Sequence, residues 1–128
     1  MLLEALIAIL IFSLGILAIV GLQAASIKSA GDAKYRSDAS LLANQLIGEM
    51  WVSDRTAATL QSNFSNPTSW LSDVAAALPG ASATPPTITF STDSSTATPS
   101  TVATITIYWN SPNEQARAHK YITVAQIE

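Results

Sequence analysis

A single carboxylate, Glu4, stands at the front of an apolar run that continues to Ile27. Between Ala5 and Ile27 there is no charged residue. An ionised side chain at the lip of such a run is costly in lipid, and carboxylates retained there mark functional positions. Glu4 is therefore the residue of this chain with the clearest claim to chemistry. That chemistry is pairing with a positive charge, because each ion is costly alone in apolar surroundings. The plainer reading of the same residue is a carboxylate at headgroup level with no partner.

Other chemistry-bearing residues are sparse. His119 is the only histidine, and no Asp/Glu cluster surrounds it in the sequence. A metal site or an acid–base dyad needs more, so His119 reads as a surface residue at a strand end. The chain has no cysteine, which excludes disulfides, thiolate metal sites and cysteine nucleophiles but does not decide the compartment. Asn63-Phe64-Ser65 matches a glycosylation acceptor, a short and common pattern that reads here as loop. Trp51, Trp70 and Trp109 read as core and interface residues. There is no phosphate-binding glycine loop and no nucleophile motif. No enzyme, metal or cofactor is expected.

The chain has 128 residues and a net charge of −3, which points to one domain. The part beyond Trp51 is sparsely charged, so there is no clustered basic face for nucleic acid. Lys28, Lys34 and Arg36 read instead as a collar at a membrane surface.

The element that carries Glu4 is set by length. From Ala5 to Ile27 the run measures roughly 34 Å as a helix at about 1.5 Å per residue, enough for a bilayer core of about 30 Å. Three other readings compete. A cleaved signal peptide would have a basic front and a shorter apolar core. An ordinary signal anchor would let Glu4 snorkel to the headgroups. A buried helix of a soluble protein would need a large protein around it, since the run is apolar on all sides. An uncleaved anchor fits best. The basic residues all follow the run, which by the positive-inside rule would hold the remainder in the cytoplasm. The Ser/Thr-rich remainder reads as exported, and a short basic leader removed from in front of Met1 resolves the conflict.

The helical pattern continues beyond the anchor. Tyr35, Ala39, Leu42, Leu46 and Met50 fall at spacings of three and four, one apolar stripe of an amphipathic helix. Asp32, Arg36, Ser40, Gln45 and Glu49 lie off it. No proline occurs before Pro67, so one helix is expected from about Leu2 to about Ser53. Residues 56–67 are polar and end in Asn66-Pro67, a loop pattern. Trp70, Val74 and Leu78 then mark a short helix, capped by Ser69 and ended by Pro79-Gly80.

After Pro85-Pro86 the period changes to two. Ile88 and Phe90 alternate with threonines, as do Ala103, Ile105, Ile107 and Trp109, and Ile122 and Val124 repeat the pattern. Each run reads as a strand with one face buried. Loops at Ser91–Thr101 and Asn110–Ala116, the second turning at Ser111-Pro112-Asn113, make a three-stranded antiparallel meander. The apolar stripe of the long helix is its natural cover. The expected fold is α+β, with Leu42, Leu46, Met50, Ile105 and Ile107 in the helix-to-sheet core. The segments are a transmembrane half-helix (1–27), an amphipathic half-helix (28–53) and a head (54–128) of loop, short helix and sheet.

This layout, with Leu2-Leu3-Glu4-Ala5-Leu6-Ile7-Ala8 at its front, resembles the type IV pilin family. In that family a leader is cut after a glycine, and a glutamate stands fifth in the mature chain. Here it stands fourth, so the resemblance implies one further residue between the leader and Met1. Within the family the chain looks most like a PilV-type minor pilin. Leu14-Gly15-Ile16-Leu17 through Gly21-Leu22-Gln23, Leu41-Leu42-Ala43 onward, and the combination of Trp70, Ala77-Leu78-Pro79-Gly80 and Ile105-Thr106-Ile107-Tyr108-Trp109 carry that likeness. It departs from major pilins in having no cysteine for a C-terminal disulfide and no proline in the membrane helix.

The resemblance implies that Glu4 neutralises the methylated N-terminal amine of a neighbouring subunit. It also implies a low-copy subunit of a tip or priming complex that initiates pilus assembly, with roles in adhesion and twitching motility. The implied partners are other minor pilins, the major pilin, a large tip adhesin, inner-membrane lipid and, on the precursor, the prepilin peptidase. The implied location is the bacterial inner membrane with the head in the periplasm, then the surface pilus. Two further classes stay open: a minor pseudopilin of a type II secretion system, and an anchored periplasmic binding module without a fibre.

Overall fold

A computed structural model describes residues 1–95, 100–112 and 118–127. In order, these form helices α1 (Leu2–Val52), α2 (Ala57–Phe64) and α3 (Thr68–Ala77), then strands β1 (Thr87–Asp93), β2 (Ser100–Asn110) and β3 (Ala118–Ile127). The chain divides into two units, 1–33 and 34–128.

The first unit is the front part of α1. Its residues are rich in leucine and alanine, which favour helix, and no proline breaks it. The Ala5 amide already donates to the Met1 carbonyl at 3.2 Å, so the bonding begins at the first residue. Every side chain from Met1 to Ala30 is exposed. The helix is long and apolar enough to cross a membrane.

The second unit is an α+β arrangement in which the rear of α1 packs on a three-stranded antiparallel sheet ordered β1-β2-β3. Ala39, Leu42, Ala43, Leu46 and Met50 are the buried residues of α1. Their spacing of three, one, three and four residues keeps them on one face of a helix. Ala39 and Ala43 are fully buried, and their small side chains let the helix backbone come close to what covers it. Tyr35, at the start of the stripe, is partly buried against the same core.

The sheet side of the core comes mainly from β2. Ala103, Ile105, Ile107 and Trp109 are buried, while Val102, Thr104, Thr106 and Tyr108 between them are not. This is the two-residue period of a strand with one covered face. Ile88 and Phe90 of β1 pair with Ile105 and Ala103, and both lie against the core. On β3 the inward set is Tyr121, Thr123, Ala125 and Ile127, in register with Ile107, Ile105, Ala103 and Thr101. Ile122 and Val124 therefore face outward, 50% and 62% exposed, against the expectation that they line the buried face. Their alternation was legible, but it does not say which of the two sets points inward; the register with β2 decides that.

Three local expectations need correction. Residues 57–64 of the supposed loop are helical: Leu60 is buried and Phe64, one turn on, packs against the core. The Asp54 carboxylate accepts the Thr56 amide at 3.1 Å just before this helix, an Asx-type turn that redirects the chain out of α1. Asn63 consequently lies on a helix rather than in a loop. Ser69 does not cap α3; Pro67 occupies that position and its carbonyl accepts the Leu71 amide at 2.9 Å. Proline is tolerated just outside a helix because its missing N–H would have no partner there. Trp51 is exposed rather than core. The hairpin turn placed at Ser111-Pro112-Asn113 falls partly on 113–117, and the Ser91–Thr101 loop partly on 96–99; these segments lie outside the described residues.

The Pro79-Gly80 stop holds and is structurally demanding. Gly80 has φ +78°, a left-handed conformation that glycine adopts without steric cost. A Cβ built there would lie 3.0 Å from Asn110 Cβ. The Asn110 amide donates to the Pro79 carbonyl at 2.8 Å, so the turn after α3 is fastened to the end of β2.

Candidate functional site

In the first unit the candidate is Glu4, in the first turn of α1. Leu2, Leu3 and Glu4 have amides with no helical acceptor before them, the positive end of the helix dipole, and a carboxylate there is favourably placed. At about 100° per residue, Ala8, Ile11, Gly15, Ala18 and Leu22 follow Glu4 along one face. Two alanines and a glycine make this one of the thinner sides of the helix, the kind of surface on which apolar helices approach one another. Nothing lies within 4 Å of where a Cβ would stand at Gly15. The arrangement offers an acidic group at the helix start and a close-approach stripe behind it.

In the second unit the expected core residues come together. Leu42, Leu46, Met50, Ile105 and Ile107 belong to one buried cluster, with Leu60, Trp70, Val74, Leu78, Trp109 and Ile127. Trp70 Nε1 donates to the backbone carbonyl of Leu42 at 2.8 Å. The Tyr121 hydroxyl donates to Ser40 Oγ at 3.3 Å, so Ser40, off the apolar stripe, ties α1 to β3. These contacts give a scaffold its shape; none joins a nucleophile to a base.

His119 lies on the second residue of β3 and stacks on Trp109, ring centroids 5.7 Å apart and planes 16° from parallel. Trp109 is buried, and its Nε1 has no hydrogen-bond partner among the described residues. No group of three or more metal-ligating side chains occurs among the described residues. A surface hollow of about 510 Å³ is lined by Gln45, Gly48, Glu49, Val52 and Ser53 of α1. Another, of about 460 Å³, lies between Asp54–Ala57 and Thr92, Thr101 and Ile127. The first adjoins exposed apolar residues that the helix stripe did not flag. Leu41, Gly48 and Val52 repeat at helical spacing on the side away from the core, and that repeat was the available signal.

Comparison of the chain with known protein families, with curated proteins and with solved structures finds no match to any of the three.

Proposed function

We propose that this chain is a minor pilin of a type IV pilus, held in the bacterial inner membrane by the front of α1 and joining a tip or priming complex that starts assembly. The observation that carries this reading is the placement of Glu4. It is an acid in the first turn of a helix that is otherwise uncharged to Ile27 and continues, without a break, into the residues that cover an antiparallel sheet. In this role Glu4 pairs with the N-terminal amine of a neighbouring subunit. The ion pair sets the axial register of packed helices, because each charge is strongly disfavoured in lipid without the other. The partners are other minor pilins and the major pilin, with a tip adhesin beyond them, and the head lies in the periplasm until assembly carries it to the cell surface.

Glu4→Gln tests it. The apolar run is untouched, so the variant should fractionate with the inner membrane as the parent chain does, while its amount in sheared fibres falls at least several-fold. Equal amounts of both forms in the fibres would remove the role given to Glu4. Recovery of the parent chain only with secretion components, and never in fibres, would favour the pseudopilin reading.

A further inference from the structure

At one end of the sheet's inner face a hollow of about 460 Å³ remains. Its sheet side is the cross-strand row Thr92, Thr101 and Ile127, and its other side is the α1–α2 turn, Asp54 to Ala57. Unsatisfied donors collect there. Thr101 is 5% exposed, yet its hydroxyl makes no hydrogen bond among the described residues. Buried hydroxyls are normally met by protein, by water or by a ligand. The Arg55 guanidinium and the Thr92 hydroxyl also have no partner among the described residues. The first bond of α2 runs from the Leu60 amide to the Thr56 carbonyl at 2.9 Å. The amides of Ala57, Ala58 and Thr59 precede that ladder, and the Thr56 side chain does not cap them. They leave partial positive charge at the helix start. The one acid lining the hollow is Asp54. Its carboxylate accepts the Thr56 amide at 3.1 Å and lies 3.5 Å from the Thr59 hydroxyl, which holds it against the turn.

We propose that this hollow binds a carboxylate carried on a short apolar stem. The Arg55 guanidinium offers such a group two parallel N–H donors. The Thr92 and Thr101 hydroxyls can donate to it as well, and the uncapped start of α2 favours negative charge. Asp54 sets how much charge the site accepts. One acid against one guanidinium and a helix start leaves a small positive excess. That excess suits a singly charged group and opposes the second charge of a phosphate. Ala57 and Ile127 give the stem apolar contact. The volume falls within the range of small-molecule sites, about 300–1,000 Å³. This inference does not depend on the pilin reading, since every residue it uses lies in the second unit.

The test uses the full chain, isotopically labelled, in micelles of an uncharged detergent. Sodium butyrate is titrated against sodium chloride at constant ionic strength, and amide chemical shifts are followed by NMR. The amides of Ala57, Ala58 and Thr101 should shift and saturate together. Arg55 is exposed, so Arg55→Gln should keep the parent spectrum away from the hollow while weakening the apparent affinity at least several-fold. Thr101→Val removes the hydroxyl with little change of shape and should weaken it in the same direction. Shifts that rise without saturating overturn the proposal, as does an affinity unchanged by Arg55→Gln. Acetate binding as tightly as butyrate would overturn it by showing that no stem is held. Inorganic phosphate binding as tightly as butyrate would overturn it by showing that the site does not select a single charge.

Discussion

The indole nitrogen of Trp70 lies 2.8 Å from the carbonyl oxygen of Leu42. Leu42 lies ten residues before the end of α1, where its carbonyl also serves the helix ladder, so one oxygen accepts two donors. This contact fixes α3 along the length of α1 and satisfies the one polar atom of a nearly fully buried side chain. Trp70→Phe keeps most of the buried ring and removes the donor. It should cost about 1–2 kcal/mol, whereas Trp70→Ala should cost about 3–5 kcal/mol by opening a cavity as well. Denaturant titration of the two variants checks the difference. Equal costs would mean that packing alone holds Trp70.

A fragment starting at Lys34 corresponds to the second unit and should fold without the apolar front of α1. Within it, Leu46→Asp places an unpaired charge at a fully buried site and should destabilise the fragment by several kcal/mol. Leu41→Asp lies on the same helix at a residue 68% exposed and should stay within about 0.5 kcal/mol of the parent. Thermal melts of the three fragments give the answer. A Leu41 effect as large as the Leu46 effect would show that the helix is rotated from the face described.

Gly80→Ala combines a left-handed backbone with a Cβ pressed on Asn110. The strain should cost about 1–3 kcal/mol. Asn110→Ala leaves an ordinary side chain Cβ in place and keeps the backbone bond to Pro79. Adding it to Gly80→Ala should therefore relieve little of the loss. A near-complete rescue in that double variant would assign the effect to the Asn110 amide group rather than to φ.

The long helix, its stripe and the three strands were legible because each rests on a run of apolar residues with one clear period. α2 was not, since Leu60 and Phe64 are its only apolar contacts and one pair cannot establish a period. Nor was the inward face of β3. Its inward set contains Tyr121, Thr123 and Ala125, which look less apolar in sequence than the outward Ile122 and Val124. Central β2 carries most of the buried load, and an edge strand can spend polar or small residues on the inside. Glu4 stands out in the sequence by its isolation, while the Trp70–Leu42 bond joins residues 28 apart and leaves no local trace. Ser40 shows the same limit: its bond to Tyr121 spans 81 positions.

That last span bears on how the head is made. On a ribosome the stripe from Ala39 to Met50 emerges long before Ile127, yet both end in the same buried cluster. Contacts of such high sequence separation close late, and apolar surface waiting for them is prone to association. The rear of α1 must therefore pass through an interval of synthesis with its core face bare. A chain stalled before β3 should be more sensitive to protease and to aggregation than the apolar front of α1 alone would suggest.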